Sequence, residues 1–162
     1  MRPTAILLIY GEGGHRAQMK RLYELLKPGL EHRGLLVVGI CENDDALDGF
    51  PSHSQNAVRD KHSHLKSLMT APLSFVHSVN LVVRLVFRYR IVGMVSTGPG
   101  IAVVPAMLLK LMRTRIIFLE SWSRFETSSL TGRIMYRLAD RFYIQNRNLK
   151  KHYPDAIYGG LL

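Results

Sequence analysis

Short apolar segments alternate with helical patterns along the 162-residue chain, and this alternation constrains the fold most. The run Thr4–Tyr10 (TAILLIY) is apolar at nearly every position, which is typical of a strand covered on both faces. Further strands are predicted at Gly34–Cys41, Ile91–Ser96, Arg115–Leu119 and Phe142–Gln145, and Gln55–His62 is predicted to hold a short strand around Ala57-Val58. Helices are predicted over His15–Lys27 (ended by Pro28-Gly29), Pro72–Arg90, Ile101–Met112 and Ser128–Ala139, followed by a short helix from an Asn146 cap to His152.

Buried strands that alternate with helices predict the α/β class: a Rossmann-like parallel sheet with helices on both faces. The length fits a single domain over residues 1–162. In such sheets ligands bind beyond the carboxyl ends of the strands. The segments to search for chemistry are therefore the loops 11–15, 41–54, 96–100, 120–127 and 145–148, and Glu42–Ser54 is predicted to be irregular throughout.

Composition narrows the class further. Hydrophobic residues make up 47% and charged residues 21%, which excludes a disordered or collagen-like chain. The single cysteine, Cys41, excludes a disulfide framework and a Cys-rich zinc module. No metal site or resident cofactor is expected. Because Gly11 and Glu12 interrupt the first apolar run early, we expect no secretory leader and a cytoplasmic location.

The formal net charge of +10 is concentrated in one half of the chain. Residues 81–162 hold thirteen Lys and Arg against four acids, whereas residues 1–80 hold nine against eight. This asymmetry predicts a polyanionic partner: nucleic acid, an anionic membrane or a phosphorylated substrate. The alternative is a solvated basic face without a partner.

The loop Gly11-Glu12-Gly13-Gly14-His15 follows the first strand and opens the first helix. Glycines in that position let the backbone approach a ligand closely, and the helix N-terminus favours an anion, so a phosphate is the expected guest. The dinucleotide fingerprint fails because Arg16 stands where its third glycine belongs. His15 either donates to a neighbouring loop or acts as a base beside the bound phosphate.

Two later loops carry related chemistry. Thr97, Gly98 and Gly100 lie in a second glycine-rich loop (STGPG) before a helix, and two such loops side by side suit a diphosphate. In the third loop, Glu120 is either a general base, a ligand for a substrate hydroxyl or an ion-pair partner of Arg124. Trp122 either stacks on a sugar, packs at an interface or lies in the core.

The helix predicted over residues 72–90 is unusually apolar and ends in arginines. Its uninterrupted apolar stretch is far below the ~20 residues that span a bilayer. Such a helix either lies in a membrane interface with its arginines at the surface or packs on the sheet as a crossover helix. The candidate membrane residues are Phe75, Val79, Val83, Arg84, Phe87, Arg88 and Arg90.

Four ordered blocks together resemble one family: GEGGH at residues 11–15, STGPG at 96–100, ESWSR at 120–124, and a closing run from Leu130 to Pro154. The family is the acceptor-side, membrane-associated subunit of the two-component N-acetylglucosaminyltransferase of asparagine-linked glycosylation. Its bacterial PssD-type relatives act in capsular and exopolysaccharide synthesis. The resemblance covers nearly the whole chain.

The resemblance implies the N-terminal half of a GT-B glycosyltransferase, with the donor-binding half on a separate polypeptide. It also implies a polyprenyl-diphosphate-linked sugar as acceptor and a nucleotide sugar, bound by the partner, as donor. Gly11, Gly13, Gly14, Thr97, Gly98 and Gly100 would then bind the acceptor diphosphate, His15 or Glu120 would be the base, and Trp122 and Arg124 would meet the acceptor sugar or the partner. The protein would act at the cytoplasmic face of the membrane.

The chain departs from the family in two ways. Eukaryotic relatives carry an N-terminal membrane anchor, whereas none is expected here, so attachment is expected to rest on helix 72–90 and the basic surface. In addition, Glu12 places an acid in the first loop, and this acid has to point away from any bound phosphate.

Two other classes compete with this interpretation. A nucleic-acid-binding module would explain the charge, but the arginines form no known docking motif. A nucleotide-dependent oxidoreductase would use Glu42 as its ribose-binding acid, but the third glycine and a substrate domain are missing. We therefore expect no nucleic-acid partner.

Overall fold

A computed structural model describes residues 2–55 and 64–162, with the backbone only for residues 64–71. Within these residues the chain forms one parallel sheet of seven strands in the order β3-β2-β1-β4-β5-β6-β7. The strands are β1 (Thr4–Tyr10), β2 (Leu36–Glu42), β3 (Ser52–Gln55), β4 (Arg90–Ser96), β5 (Arg115–Leu119), β6 (Arg141–Ile144) and β7 (Ile157–Tyr158).

Helices cover both faces of the sheet. They are α1 (Gly14–His32), α2 (His64–Arg88), α3 (Val103–Leu111) and α4 (Leu130–Leu138), with short 3₁₀ turns at Gly100–Ala102 and Arg147–Lys151. Alternate residues of β1 point to opposite faces: Leu7 packs with α2, α3 and α4, whereas Leu8 packs with α1. The predicted fold class, a Rossmann-like sheet with helices on both faces, is confirmed.

The strand order places a topological switch point between β1 and β4. The chain runs outward from β1 to β2 and β3, then returns to the other side of β1 and continues through β4 to β7. Since adjacent strands whose connections run in opposite directions leave a crevice at their carboxyl ends, the loops after β1 and β4 flank such a crevice.

Two helices differ from their predicted limits by more than two residues, and both contain proline. The expected end of the first helix at Pro28-Gly29 is wrong, because α1 continues to His32. Pro28 is exposed, so the Glu24 carbonyl that loses its helical donor can be hydrated instead. α2 begins at His64 rather than at Pro72, which lies inside the helix.

The strands match their predicted limits to within two residues, with two additions. β3 lies in a segment predicted to be irregular, and the two-residue β7 is too short to give a sequence pattern. The strand predicted around Ala57-Val58 lies outside the described residues. The predicted Asn146 cap is confirmed, since its side chain accepts from the Asn148 amide at 3.0 Å.

Candidate functional site

The loop between β1 and α1 is closed at one end and open at the other. Gly11 is buried, and a methyl group there would lie 2.5 Å from Glu42 Oε2 and 3.0 Å from Pro99 Cβ. Gly13 adopts a φ of 57° and has nothing within 4 Å of an added Cβ. It is the N-cap of a 19-residue helix, and no described side chain caps that helix. The exposed Gly13–Gly14 end is therefore the part of the loop that is suited to an anion.

Thr97 joins the loop after β4 to the loop after β1 through two hydrogen bonds with His15. A carbonyl oxygen can only accept a hydrogen bond. The 2.5 Å contact between His15 Nδ1 and the Thr97 carbonyl oxygen therefore requires a proton on Nδ1. The Thr97 hydroxyl donates in return to the His15 carbonyl at 3.0 Å. In the neutral ring Nε2 is then the nitrogen that can accept a proton.

Gly98 completes the contact between the two glycine-rich loops. Its φ is 110°, and a Cβ there would lie 2.8 Å from His15 Cε1 and 3.8 Å from the Ser121 amide nitrogen. A side chain would therefore clash with the imidazole as well as strain the backbone. Gly100, by contrast, is exposed and lies beside Thr131 at the start of α4.

Trp122 lies beside the open end of the first loop. A Cβ on Gly14 would be 3.4 Å from its indole Nε1, and the Arg21 guanidinium carbon stands 5.0 Å from the centre of its ring. The Gln18 side chain accepts from the Trp122 amide at 3.2 Å. Arg124, by contrast, is exposed and reaches Thr127, so the structure brings Trp122 but not Arg124 to the glycine-rich loops.

Glu120 is held in the interior. Its side chain is 1% exposed and accepts hydrogen bonds from the Ser129 hydroxyl at 3.1 Å and the Tyr153 hydroxyl at 2.8 Å. Burial, together with the Glu120 charge, raises the pKa of Tyr153 well above its usual value, so this hydroxyl stays a donor. The carboxylate therefore links β5 to α4 and the C-terminal segment, and the alternative of an ion pair with Arg124 is wrong.

Two buried glutamines that the sequence analysis did not single out connect these elements. Gln18 and Gln145 both donate to the backbone carbonyl of Glu120, at 3.4 Å and 3.1 Å. Gln18 occupies a position of α1 next to the buried Met19, and a polar residue on the apolar face of a helix is the signal that identifies it. Buried amides of this kind need partners, and here they fix the Trp122 loop against α1.

The Glu12 carboxylate points toward the end of β2. Its Oε1 accepts from Asn43 Nδ2 at 2.9 Å, and Asn43 lies directly after β2. The carboxylate is thus drawn toward the β2 side of the loop rather than toward the open Gly13–Gly14 end.

An apolar outer surface extends over α2, α3 and α4, which pack side by side on one face of the sheet. On α2 the buried Val82 and Leu85 face the core, while Phe87 on the opposite side is 76% exposed. The crossover packing and the exposed apolar face thus coexist on one helix. Of the predicted membrane residues, Phe75, Val83, Arg84, Phe87, Arg88 and Arg90 are exposed and Val79 is half-buried.

Sequence reasoning missed that this surface continues beyond α2. Leu111 on α3 is 83% exposed and Leu130 at the start of α4 is 75% exposed, and Met107 and Ile134 add to the same helices. Arg133 and Arg137 lie exposed on α4. We call the exposed apolar and basic residues of α2, α3 and α4 the outer helical surface. Residues on three separate helices become one surface only through the tertiary packing.

Within residues 2–55 and 64–162 no helix is long and apolar enough to cross a bilayer. No group of three or more His, Cys, Asp or Glu side chains there is arranged to hold a metal ion.

The sheet and its switch-point crevice define a fold class shared with glycosyltransferases. MurG from Acinetobacter baumannii superimposes with a TM-score of 0.64 over 90% of this chain at 12% identity. LpCGTa, solved in complex with UDP, superimposes with a TM-score of 0.56 over 98% of this chain at 10% identity. The chain spans 43% and 51% of those two proteins, so it corresponds to about half of a two-domain GT-B fold.

The sequence identifies the family within this class. Residues 6–162 match the family described as "Oligosaccharide biosynthesis protein Alg14 like", and the chain belongs to it. It is 29% identical to the "UDP-N-acetylglucosamine transferase subunit ALG14" of Eremothecium gossypii over 99% of this chain and 80% of that protein. The rat and human proteins of the same name are each 28% identical to it over 96% of this chain. The matched regions cover 81% of the rat protein and 82% of the human protein. These relatives confirm the predicted resemblance and give no support to its capsule and exopolysaccharide part.

Proposed function

We propose that the chain is the acceptor-binding, membrane-docking subunit of a two-component inverting glycosyltransferase. The observation that carries this proposal is the pair of His15–Thr97 hydrogen bonds, which hold two glycine-rich loops together at the switch point. The family membership supports the reaction class, and so do the names of the relatives, which are subunits of a UDP-N-acetylglucosamine transferase. Residues 1–162 would act as a single domain.

The acceptor in this proposal is a sugar joined through a diphosphate to a polyprenol. The open end of the first loop offers the uncapped N-terminus of α1, and the second loop ends at the exposed Gly100. Backbone amides at these two places suit the two phosphates, because both loops approach without side chains. Gly11 contributes differently, since it is buried against Glu42 and Pro99 and lets these two residues approach the loop closely.

His15 is the better of the two candidate bases. Its Nδ1–H is held by the Thr97 carbonyl, which leaves Nε2 to take the proton from the attacking acceptor hydroxyl. The hydroxyl oxygen then bonds to the anomeric carbon of the donor sugar, and the bond from that carbon to the nucleoside diphosphate breaks with inversion. Glu120 is buried with its oxygens engaged, so we assign it the positioning of this loop.

The outer helical surface supports docking on an anionic membrane. Leu130 lies at the edge of this surface, next to the second loop. The following residue, Thr131, has its hydroxyl 3.8 Å from where a Cβ on Gly100 would be. A polyprenyl chain that leaves the second loop therefore meets exposed apolar side chains at once. Arginines on the same helices can reach anionic headgroups. The proposed location is peripheral or monotopic at the cytoplasmic face.

The partner in this proposal is a second subunit that binds UDP-N-acetylglucosamine. The chain matches about half the length of the solved GT-B proteins, and the nucleotide sugar would bind between the halves. Alone the chain should transfer no sugar, and activity should appear when it is combined with the donor-binding subunit and membranes. Transfer by the isolated chain to a soluble acceptor would contradict the two-subunit proposal.

The base assignment is tested with His15→Asn in the reconstituted two-subunit enzyme. The Asn side-chain amide can still donate to the Thr97 carbonyl but cannot take a proton at pH 7. We expect kcat to fall by about 10²–10⁴-fold, while binding of phytanyl diphosphate is retained. Thr97→Val is the matched control, because it removes only the Thr97 hydroxyl bond and keeps the base. A kcat in His15→Asn equal to that of the wild type would reject His15 as the base.

A further inference from the structure

Glu42 lies where the two glycine-rich loops meet. It is the last residue of β2, next to β1 in the sheet. A methyl group on Gly11 would contact Glu42 Oε2 at 2.5 Å and Pro99 Cβ at 3.0 Å. The carboxylate is therefore packed against the first loop, and Pro99 of the second loop approaches the same point. Glu42 is only half-buried, so it is not sealed inside the protein as Glu120 is.

The backbone that follows Glu42 forms a tight turn. Asn43 and Asp44 have left-handed φ values, of 46° and 59°, and the Asp45 amide donates to the Glu42 carbonyl at 3.1 Å. Asn and Asp are common at such positions in tight turns. Asn43 also donates to Glu12 and so ties the end of β2 to the first loop. The turn and this hydrogen bond therefore hold Glu42 in a fixed position beside the first loop.

The chemistry of a carboxylate limits what it can recognise at this place. A negative carboxylate repels phosphate oxygens, so it does not itself bind the diphosphate. It accepts hydrogen bonds, and its roughly four lone-pair sites leave room for a ligand beside protein partners. Sugar hydroxyls and amide N–H groups are donors of the required kind. In dinucleotide-binding folds an acid near the end of the second strand accepts from ribose hydroxyls in the same way.

We propose that Glu42 recognises the sugar attached to the acceptor diphosphate by accepting hydrogen bonds from its hydroxyl or amide groups. This inference rests on the proposed function, and it adds a specificity-determining residue to the site. A lipid diphosphate that carries no sugar would gain nothing from Glu42 and would be disfavoured by its charge.

The test compares two synthetic probes on the full chain: phytanyl diphosphate, and phytanyl diphosphate that carries N-acetylglucosamine. Trp122 is the single tryptophan and lies beside Gly14, so its fluorescence reports binding. In Glu42→Gln we expect affinity for the sugar-bearing probe to fall by about tenfold, the value typical of a hydrogen bond to a charged group. Affinity for phytanyl diphosphate should stay equal or rise.

Each other outcome has a distinct meaning. If Glu42→Gln lowers the affinity for both probes equally, Glu42 has only a structural role. If it raises both affinities equally, Glu42 only repels phosphate. Either result overturns the inference. An unchanged affinity for the sugar-bearing probe also overturns it. Partial unfolding lowers both signals together, so the ratio of the two affinities remains informative. Glu31→Gln, at an exposed position of α1, is the control. Failure of the wild-type chain to bind either probe would instead reject the proposed function.

Discussion

Gly132 occupies a position in α4 that no larger residue fits. A Cβ there would collide with the Glu120 carboxylate and the Tyr153 hydroxyl and would lie 2.8 Å from Ser129 Oγ. Ser129 is the N-cap of α4, and its hydroxyl accepts from the Gly132 amide at 2.8 Å. The missing side chain thus makes room for a buried carboxylate that three elements share.

This packing predicts opposite effects for two glycine-to-alanine changes. Gly132→Ala should lower the free energy of unfolding by about 2–3 kcal/mol, because the added methyl displaces a hydrogen-bonded buried carboxylate. Gly29→Ala in α1, where a Cβ meets nothing within 4 Å, should raise it by about 0.5–1 kcal/mol. Urea denaturation followed by circular dichroism measures both. A Gly132→Ala protein as stable as wild type would contradict the crowding argument.

The sequence predicts several residues of the site but does not identify the base. The motif spacing identified His15, Thr97 and Gly98, because short loops after neighbouring parallel strands must converge. It did not decide between His15 and Glu120 as base, since a residue at a strand end can turn into the crevice or into the core. That choice depends on Tyr153, which follows Glu120 by 33 residues and donates to it in the folded chain.

At the level of elements, the strands were easier to predict than the helix ends. Continuous apolar runs define buried strands, so β5 has its predicted limits, Arg115–Leu119. Helix ends depend on small local energies that packing overrides. A helix-interior proline costs about 3 kcal/mol, yet α1 continues past Pro28 to His32. β7 pairs with β6 over two residues only. Such a short strand depends on pairing with its neighbour, and the sequence of the segment alone does not predict it.

Asp140 links three elements and gives the fold a specific pH dependence. It accepts from Lys110 Nζ on α3 at 2.6 Å and from the Ile116 amide on β5 at 2.8 Å. Partial burial acts to raise the pKa of Asp140, but these hydrogen bonds outweigh it, and the pKa lies below its usual value of 3.8. Because the folded pKa is depressed, this stabilisation is complete above about pH 4 and is lost as pH falls through the folded pKa.

Asp140→Asn should therefore have a lower free energy of unfolding than the wild type at pH 7, and the difference between the two should be smaller at acidic pH. We expect a loss of about 0.5–1 kcal/mol at pH 7, since the pair is partly exposed and screened, and a smaller difference from wild type below pH 3. Urea unfolding at both pH values measures it, with the exposed Glu31→Gln as control. A difference that stays constant with pH would show that the charge of Asp140 has no part in it.

At the level of the whole molecule, charge and hydrophobicity are segregated. The net of +9 lies in residues 81–162, and the fold brings Arg84 and Arg88 on α2 onto the same face as Arg133 and Arg137 on α4. The opposite face of the sheet carries α1. Sequence periodicity indicated the apolar α2, but only tertiary packing adds α3 and α4 to it. The large exposed apolar area on one side is typical of an interaction surface.

The membrane proposal predicts that binding to vesicles depends on this face alone. Leu73→Ser combined with Phe87→Ser removes two exposed side chains of α2, each of which would contribute about 1.5–3 kcal/mol if fully buried in lipid. Flotation with vesicles containing phosphatidylserine should therefore drop more than tenfold. Leu25→Ser is the matched control, because Leu25 is 70% exposed on α1 across the sheet.

The arginines should act separately and only on charged lipid. Arg84→Ser with Arg88→Ser should weaken flotation with phosphatidylserine vesicles by about 10–30-fold, at roughly 1 kcal/mol per arginine, and should have little effect on pure phosphatidylcholine vesicles. Raising the salt concentration should reproduce the arginine effect in the wild type but leave the contribution of Phe87 intact. If Leu25→Ser reduces flotation as much as the α2 variants do, attachment is not confined to the outer helical surface, and the proposed docking through that surface fails.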